Sequence, residues 1–440
     1  MSHSPILTPL QMLQANSLPS LVQAEIEQMI LPRLSGPHVP KFVAEAGFDT
    51  QPYIVMERIG GNSLQPLAEA TSLTGARVAE IGEKVAIALH DVHSQHVIHH
   101  DVKPSNIMIR ETGKAVLIDY GLSRHDRLPD LLDEELHLPV GTGAYISPEQ
   151  LTGNRSDPRS DLFALGVMLY VLATGQSPFG NPTTSAALRR RLWRDPTPPR
   201  RLNPDLPQAL QELILLCLEI DPDKRPASAG QLAFDLAHLD QVVLTERANR
   251  VARDGLVAVA RRRFRGFRAP DQGEPRTLSA HLAAAPIIMA AVDLAPEMEP
   301  LSDLLRTTVA RMLAIEPKAR LACVNVLKTS RIRVEFGEDE QGRNLHVKRL
   351  VELKHWTHEL KLPPERVTYT VLESPDAGAA LLDYARNAHV DHIVIGARSA
   401  SAVRRYLGSI SSKVVAEAPC NVTVVRARRA HEAEEVNEGN

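Results

Sequence analysis

The sequence predicts two domains of different fold class: an α+β domain in residues 1–245 and an α/β domain with a doubly wound parallel sheet in residues 286–428. In the first part, a few short apolar segments precede a long stretch of helical periodicity. In the second part, short segments rich in Val and Ile alternate with helical stretches. The length of 440 residues fits this division, because it exceeds what one hydrophobic core usually holds.

The first domain is predicted to begin with a helix over residues 20–34, where apolar residues recur at helical spacing. Two strands at 41–46 and 53–59 and a helix at 78–96 are expected next. A polar loop follows, and beyond it the periodicity is mainly helical. The remaining predicted elements of this domain are strands at 106–109 and 115–118 and helices at 161–175, 188–193, 208–219 and 229–239.

The segment between the domains, residues 246–285, is strongly basic. Residues 247–268 contain eight arginines interleaved with apolar residues, which predicts an amphipathic connecting helix with a solvated basic face. Docking to nucleic acid or to a membrane is the alternative, because the chain as a whole is slightly acidic. A linker over 268–285 is expected to complete the segment, and the acidic tail, 429–440, is predicted to be disordered.

The second domain is predicted to contain a parallel sheet, because helices that connect successive strands place those strands in the same direction. The predicted strands are 286–294, 320–327, 366–372, 392–396 and 420–426, and the predicted helices are 301–314, 348–360, 378–388 and 411–417.

The composition excludes several classes of protein. Hydrophobic residues make up 43% of the chain, charged residues make up 23%, and the net charge is -3, which does not indicate a nucleic-acid partner. The three cysteines lie far apart, so we expect free thiols in a reducing compartment. The longest apolar run, 162–173, is shorter than the ~20 residues of a membrane span, and no signal peptide is evident. We therefore expect a cytoplasmic protein.

Residues 99–106 form a polar cluster that carries the chemistry of the first domain. Asp101 and Lys103 are close in sequence, so a carboxylate can accept or orient a hydroxyl proton while an ammonium group neutralises a transferred phosphoryl group. Asn106 and Asp119 offer oxygen atoms, which Mg²⁺ prefers as ligands. This set of residues is the one that metal-assisted phosphoryl transfer to a hydroxyl requires.

These residues resemble the catalytic core of eukaryotic-type serine/threonine protein kinases, over roughly residues 20–240. The resemblance includes the Ser-Pro-Glu motif at 147–149, Asp161 ahead of a long apolar helix, and the Lys-Arg-Pro motif at 224–226. It implies a protein-kinase-like fold with a helical C-lobe. It also implies transfer of the ATP γ-phosphoryl group to Ser or Thr of a protein substrate, with ATP and Mg²⁺ as cofactors.

The resemblance implies roles for four residues of the polar region. Asp101 is the expected catalytic base, and Lys103 is the expected cation beside the transferred phosphate. Asn106 and Asp119 are expected to hold Mg²⁺ and, through it, the nucleotide.

The resemblance also implies roles outside that region. Backbone groups of Glu57 and Ile59 are expected to bind adenine. Glu27 aligns with the glutamate that normally pairs with a strand lysine, and Glu149 is expected to pair with Arg225.

One departure from the kinase pattern concerns regulation. His100 stands where the family has an arginine that meets a phosphorylated loop residue. Residues 124–140, which belong to that loop, contain no Ser, Thr or Tyr. We therefore expect that loop phosphorylation does not switch this protein.

A second departure is that no glycine-rich loop and no strand lysine precede Glu27, since the first glycine is Gly36 and the first lysine is Lys41. The N-lobe is therefore expected to be incomplete and phosphate positioning to be poor. A truncated or misassigned start is the preferred interpretation, because the downstream catalytic residues are intact. The alternative is a catalytically impaired pseudokinase scaffold that signals through partner binding.

The second domain resembles the universal stress protein family over roughly residues 286–427. The resemblance rests on a Gly-Ala-Arg-Ser segment at 396–399 after a strand, a Gly-Ser segment at 408–409 that opens a helix, and the apolar run at 419–425.

That resemblance implies that Gly408 and Ser409 contact the phosphates of ATP through backbone N–H groups at the start of a helix. Ser399, however, stands where the nucleotide motif has its second glycine, and its side chain restricts backbone approach. A dimerising or docking module with an empty loop is an equal alternative, and homodimerisation through the last strand is implied by the family.

Overall fold

A computed structural model describes residues 18–46, 53–70, 72–135, 141–182, 184–252, 286–295, 298–328, 345–397 and 408–426. The chain divides into two compact units, residues 1–283 and 284–440. Each unit has its own hydrophobic core.

The first unit begins with helix α1 (Leu18–Ile30), which continues as a 3₁₀ turn (Leu31–Arg33). Pro32 has no backbone N–H, which accounts for the end of α-helical pairing at this point. Strands β1 (Phe42–Ala46) and β2 (Tyr53–Met56) pair antiparallel. Strand β2 ends short of residue 59, so the predicted adenine-binding residues lie in the loop that follows it.

Five short strands form the platform for the polar cluster. They are β3 (Asn62–Ser63), β4 (Val97–Ile98), β5 (Ile107–Ile109), β6 (Ala115–Leu117) and β7 (Arg124–His125). The order β3-β5-β6 forms one antiparallel sheet, and β4 pairs with β7. Ile107 pairs with Leu117, so the residues before β5 and those after β6 lie side by side. This pairing brings the polar cluster next to Asp119.

Helices make up most of the first unit. They are α2 (Gln65–Glu69), α3 (Gly75–Ser94), α4 (Leu131–Glu135), α5 (Arg159–Thr174), α6 (Ser185–Arg189), α7 (Pro199–Leu202), α8 (Gln208–Cys217), α9 (Ala229–Ala237) and α10 (Glu246–Asn249). Helix α5 contacts α3 and α8 and is buried on nearly all sides, as its apolar sequence predicts. The helix expected at 188–193 is wrong: α6 ends earlier, and a 3₁₀ turn (Arg190–Leu192) follows it.

The second unit is a five-stranded sheet with helices. Its strands are β8 (Ile287–Ala291), β9 (Arg320–Lys328), β10 (Val367–Ser374), β11 (His392–Gly396) and β12 (Asn421–Val425). Its helices are α11 (Glu299–Ile315), α12 (Leu345–His358), α13 (Ala377–Asn387) and α14 (Ser409–Glu417).

All neighbouring strands of that sheet are parallel, in the order β10-β9-β8-β11-β12. Ile288 pairs with Leu321 on one side and with His392 on the other. The predicted doubly wound parallel sheet is therefore confirmed, with the strand order reversing at β8.

The start of the predicted connecting segment packs on the first unit. Arg247 lies 3.0 Å from both Glu212 and Glu219, and Arg250 lies 2.8 Å from Asp195. The rest of the predicted basic helix and linker, and the tail at 429–440, lie outside the described residues. Within the described part of the chain, no helix is long and apolar enough to cross a membrane. All three cysteines are free, as expected.

Candidate active site

The turn that carries the polar cluster is held by Asp161, in the first turn of α5. Its carboxylate accepts hydrogen bonds from the backbone N–H groups of His99 and His100 and from Nε2 of His93, all at 2.8 Å. His100 has a φ of 63°, so these bonds stabilise a left-handed conformation that is otherwise unfavourable. Burial is the largest single effect and would raise the pKa of Asp161, but the hydrogen bond from His93 and the attraction of the neighbouring histidines together outweigh it, and the pKa falls to about 2.

Asp101 is the centre of the site and is 5% exposed. One carboxylate oxygen lies 2.5 Å from Nζ of Lys103 and accepts a hydrogen bond of 2.9 Å from Nδ2 of Asn106. The other accepts a hydrogen bond of 2.9 Å from the hydroxyl of Thr142, and Lys103 also donates to that hydroxyl at 3.0 Å. Three predicted site residues thus meet here, and Thr142 joins them although it was not among the predicted site residues.

Asn106 and Asp119 are neighbours, as the predicted metal site requires. Nδ2 of Asn106 lies 3.5 Å from a carboxylate oxygen of Asp119. Asp119 is exposed and has a φ of 67°, and from the described residues its other carboxylate oxygen accepts only a long hydrogen bond of 3.4 Å, from the backbone N–H of Gly121. Among the described residues, no group of three or more His, Cys, Asp or Glu side chains could hold a metal ion. One carboxylate and one amide oxygen suit Mg²⁺, which usually keeps waters and phosphate oxygens as its other ligands.

Glu27, on α1, points at the turn after β6. Its carboxylate accepts a long hydrogen bond of 3.4 Å from the backbone N–H of Tyr120 and is 9% exposed. No Lys or Arg of the described part of the chain forms an ion pair with it. Burial and the nearby charge of Asp119 raise the pKa of Glu27 to about 7.

The loop after β2 contains the two predicted adenine-binding residues. The carboxylate of Glu57 is bound by Arg110, which donates to it at 2.5 and 2.9 Å. These hydrogen bonds lower the pKa of Glu57. The backbone N–H of Glu57 donates to the carbonyl of Lys41 at 2.8 Å. Within the described residues, the carbonyl of Glu57 and the N–H of Ile59 have no hydrogen-bond partner.

The predicted pair of Glu149 and Arg225 is confirmed. The guanidinium donates two hydrogen bonds to the carboxylate, at 2.6 and 2.8 Å, and both side chains are buried. Ser160 donates a further bond of 2.7 Å to Glu149, and the guanidinium lies 5.0 Å from the ring centroid of Phe163. This cluster ties the end of the loop that contains Thr142 to α5.

The sequence model of the protein kinase domain matches residues 13–235, about half of the chain. The chain belongs to the protein kinase family. The model of the universal stress protein family matches residues 286–426, in agreement with the parallel sheet of the second unit. Both resemblances inferred from the sequence are therefore confirmed.

Relatives of this chain include a probable serine/threonine-protein kinase of Clostridium perfringens, 32% identical over 211 residues, which are 48% of this chain and 30% of the relative. The kinase pkn3 of Myxococcus xanthus is 37% identical over 201 residues, 43% of this chain and 36% of its own. PknB of Mycobacterium tuberculosis is 32% identical over 197 residues, which are 44% of this chain and 32% of the relative. The chain thus spans about a third of the length of the curated relatives it matches.

The kinase domain also contains a buried arginine that sequence reasoning missed. Arg191 is 1% exposed, and its guanidinium donates to the carbonyls of Gly143, at 2.6 Å, and Ile146. Burial lowers the pKa of Arg191 to about 10. The residue stabilises the backbone that directly follows Thr142. Its position within a run of three arginines offers no local signal that this one is buried.

In the universal stress domain, Gly408 precedes α14 and Ser409 is its first residue. Ser409 is exposed, and a Cβ built on Gly408 would meet, among the described atoms, only the hydroxyl of Ser411 at 3.7 Å. Within the described residues, nothing therefore packs closely enough on Gly408 to block a ligand at this helix start. Ser399 lies outside the described residues.

Proposed function

We propose that the kinase domain of this chain transfers the γ-phosphoryl group of ATP to Ser or Thr hydroxyls of a protein substrate. The observation that carries the proposal is the contact of Asp101 with Lys103, Asn106 and Thr142 beside the exposed Asp119. Phosphoryl transfer depends mostly on positioning and charge, and this cluster supplies both.

In the proposed mechanism, Asp101 orients the substrate hydroxyl and accepts its proton. The Thr142 and Asn106 hydrogen bonds hold the carboxylate in one orientation. The ammonium group of Lys103 lies beside the same carboxylate and neutralises negative charge on the transferred group.

Asn106 and Asp119 would hold Mg²⁺, which when bound neutralises charge on the phosphates of ATP. The exposure of Asp119 and its neighbouring amide support this assignment. The carbonyl of Glu57 and the N–H of Ile59 would bind adenine, which the absence of other partners within the described residues supports.

A transfer assay of the full chain with radiolabelled ATP, Mg²⁺ and dephosphorylated casein tests the proposal. We expect Asp101→Asn to lower kcat by a factor on the order of 10³, because the general base is lost. Phosphoamino-acid analysis of the product is expected to yield phosphoserine and phosphothreonine.

Asp133→Asn is the matched control for this assay, since Asp133 is an exposed aspartate of the same domain. We expect this variant to retain the wild-type rate. Equal transfer by wild type and Asp101→Asn, or no transfer by the wild type, would reject the proposed activity.

For the universal stress domain, we propose that Gly408 and Ser409 contribute a second ATP site through the backbone at the start of α14. The position of Gly408 and Ser409 at the start of α14 and the family match support this site. Homodimerisation through the edge strand β12 is a further proposal, supported by its pairing with β11 on one side.

A further inference from the structure

His100 cannot provide the positive charge of the arginine that the kinase family has at this position. Its Nε2 lies 2.9 Å from the carbonyl of Arg155, so Nε2 carries the proton, and its Nδ1 is buried without a partner among the described residues. Burial and the positive charge of Arg155 lower the pKa of His100 to about 3. The ring is therefore neutral at physiological pH and offers no cation to a phosphorylated loop residue.

Arg155 supplies a positive charge instead, and its anionic partner is Asp130, an unmodified residue of the same chain. Nε of Arg155 lies 3.0 and 3.3 Å from the two carboxylate oxygens of Asp130. Arg124 places its Nε 3.4 Å from the same carboxylate. The side chains of Arg155 and Asp130 are 12% and 14% exposed, so solvent screens their attraction much less than at the surface.

The ion pair of Arg155 and Asp130 also connects the segment around Asp130 to the turn that begins at Asp119, the predicted metal ligand. The guanidinium of Arg155 also donates to the carbonyl of Leu122, at 2.9 Å, just after the turn that begins at Asp119. Strand pairing fixes Arg124 as well, since it lies opposite Ile98 in the β4–β7 ladder.

Asp130 also begins a helix. Its carboxylate accepts a hydrogen bond of 3.4 Å from the N–H of Asp133 in the first turn of α4. Helix α4 contacts α1, which carries Glu27, and Leu132 of α4 is buried in the core. One carboxylate thus connects the turn after Asp119, α4 and, through α4, helix α1.

We propose that the Asp130 carboxylate, held between Arg155 and Arg124, orders residues 119–135. A phosphate on the loop orders the corresponding segment in kinases that are activated by loop phosphorylation. Asp130 and Arg155 are positioning residues for Asp119 and Glu27. An aspartate is charged without modification, so the segment is ordered constitutively. The consequence for turnover rests on the proposed kinase activity, whereas the ordering of the segment does not.

Hydrogen exchange of the full chain, read by mass spectrometry on peptides from 119–135, tests the ordering. We expect Asp130→Asn to speed exchange there roughly tenfold or more, since a charged hydrogen-bond acceptor for two cations is lost. Asp130→Glu is expected to stay close to wild type. Asp133→Asn, the same chemical change at an exposed position of α4, is expected to exchange as wild type does.

Kinetics test the consequence for turnover. We expect Asp130→Asn to lower kcat roughly tenfold and to leave the KM for ATP within about twofold, because the proposed adenine contacts lie in a different loop. Asp130→Glu is expected to restore most of kcat. Mass spectrometry of the active wild type is expected to find no phosphate on Ser123 or Thr142.

The outcomes are distinguishable. If Asp130→Asn and Asp133→Asn exchange alike, the ordering role is wrong, and if exchange speeds up but kcat is unchanged, the positioning role is wrong. If exchange responds as expected while the wild type transfers no phosphate, the proposed function fails and the ordering role stands. Should Asp130→Asn fail to fold, Arg155→Gln takes its place, and unchanged exchange in that variant overturns the proposal. A phosphate on Ser123 or Thr142 that raises turnover overturns the constitutive ordering.

Discussion

Glu27 and Asp101 are both buried carboxylates of the kinase domain, but the charged groups next to them have opposite signs. Asp101 has an ammonium group at 2.5 Å and two neutral donors. Glu27 has one long backbone hydrogen bond and the negative charge of Asp119 nearby, and its pKa is raised to about 7. Both residues are buried, so the cation that contacts Asp101 and has no counterpart at Glu27 within the described residues is what distinguishes their surroundings.

This difference predicts a pH-dependent stability from Glu27. Its folded-state pKa of about 7 exceeds the ordinary value of 4.5, so the folded chain binds an extra proton between these values. Its contribution is fully present below pH 4.5 and is lost as the pH rises to 7. Glu27→Gln removes the ionisation, so we expect the variant to be more stable than wild type at pH 8 by up to ~3 kcal/mol and equal to it near pH 4.

Urea unfolding at pH 8 and at pH 4 measures this difference. Hydrogen exchange of the α3 amides is the readout, so the measured free energy belongs to the kinase domain. Glu25→Gln is the control, because Glu25 is exposed on the same helix. A variant of Glu27 that gains no more stability at pH 8 than the control would show that the burial of this carboxylate costs nothing.

At the scale of elements, pairing and packing decide which parts of the site meet. The expected strands at 106–109 and 115–118 exist within one residue of their predicted bounds, since their apolar residues are contiguous. Strands β3, β4 and β7 are two residues long and could not be predicted, because only their pairing across the fold defines them. The helix expected at 188–193 was misplaced, since the α-helix ends at Arg189 and a 3₁₀ turn, which helical periodicity alone does not distinguish, follows it.

The buried pair of Glu149 and Arg225 predicts a large loss of stability when one partner is removed. Arg225→Met leaves the carboxylate buried with one hydroxyl donor, so we expect the free energy of unfolding of the kinase domain to fall by about 3–5 kcal/mol. Urea unfolding read by exchange of the α5 amides measures this loss. Lys224→Met is the control, since that side chain is 63% exposed and its ion pair is 3.9 Å long. Equal losses in the two variants would contradict the anchoring role.

At the scale of the whole molecule, the chain combines two folds whose proposed nucleotide sites are built in different ways. The proposed kinase site uses side chains that follow short strands, whereas the proposed site of the universal stress domain uses backbone at the start of α14. If both bind ATP, the full chain binds two nucleotides.

Equilibrium dialysis of the full chain with ATP and Mg²⁺ measures this stoichiometry. We expect Ser409→Pro to reduce it from about two to about one, because proline removes a backbone N–H but fits the first position of a helix. Gly408 has a ψ of 158°, which also suits a residue before proline. Ser302→Ala, elsewhere in the same domain, is expected to keep both sites. Unchanged stoichiometry in Ser409→Pro would leave the dimerising or docking module as the better interpretation.

The sequence by itself determined both families, the strand–helix alternation of the second domain and the residues of the polar cluster, because these features depend on the identity and spacing of near neighbours. It also showed that His100 departs from the kinase pattern. Only the tertiary structure decided what compensates for that departure. Asp130 and Arg155 are 25 residues apart, and Thr142 is 41 residues from Asp101. No local pattern states which carboxylate meets which cation at such separations; the packing of the strand platform on the helices decides it.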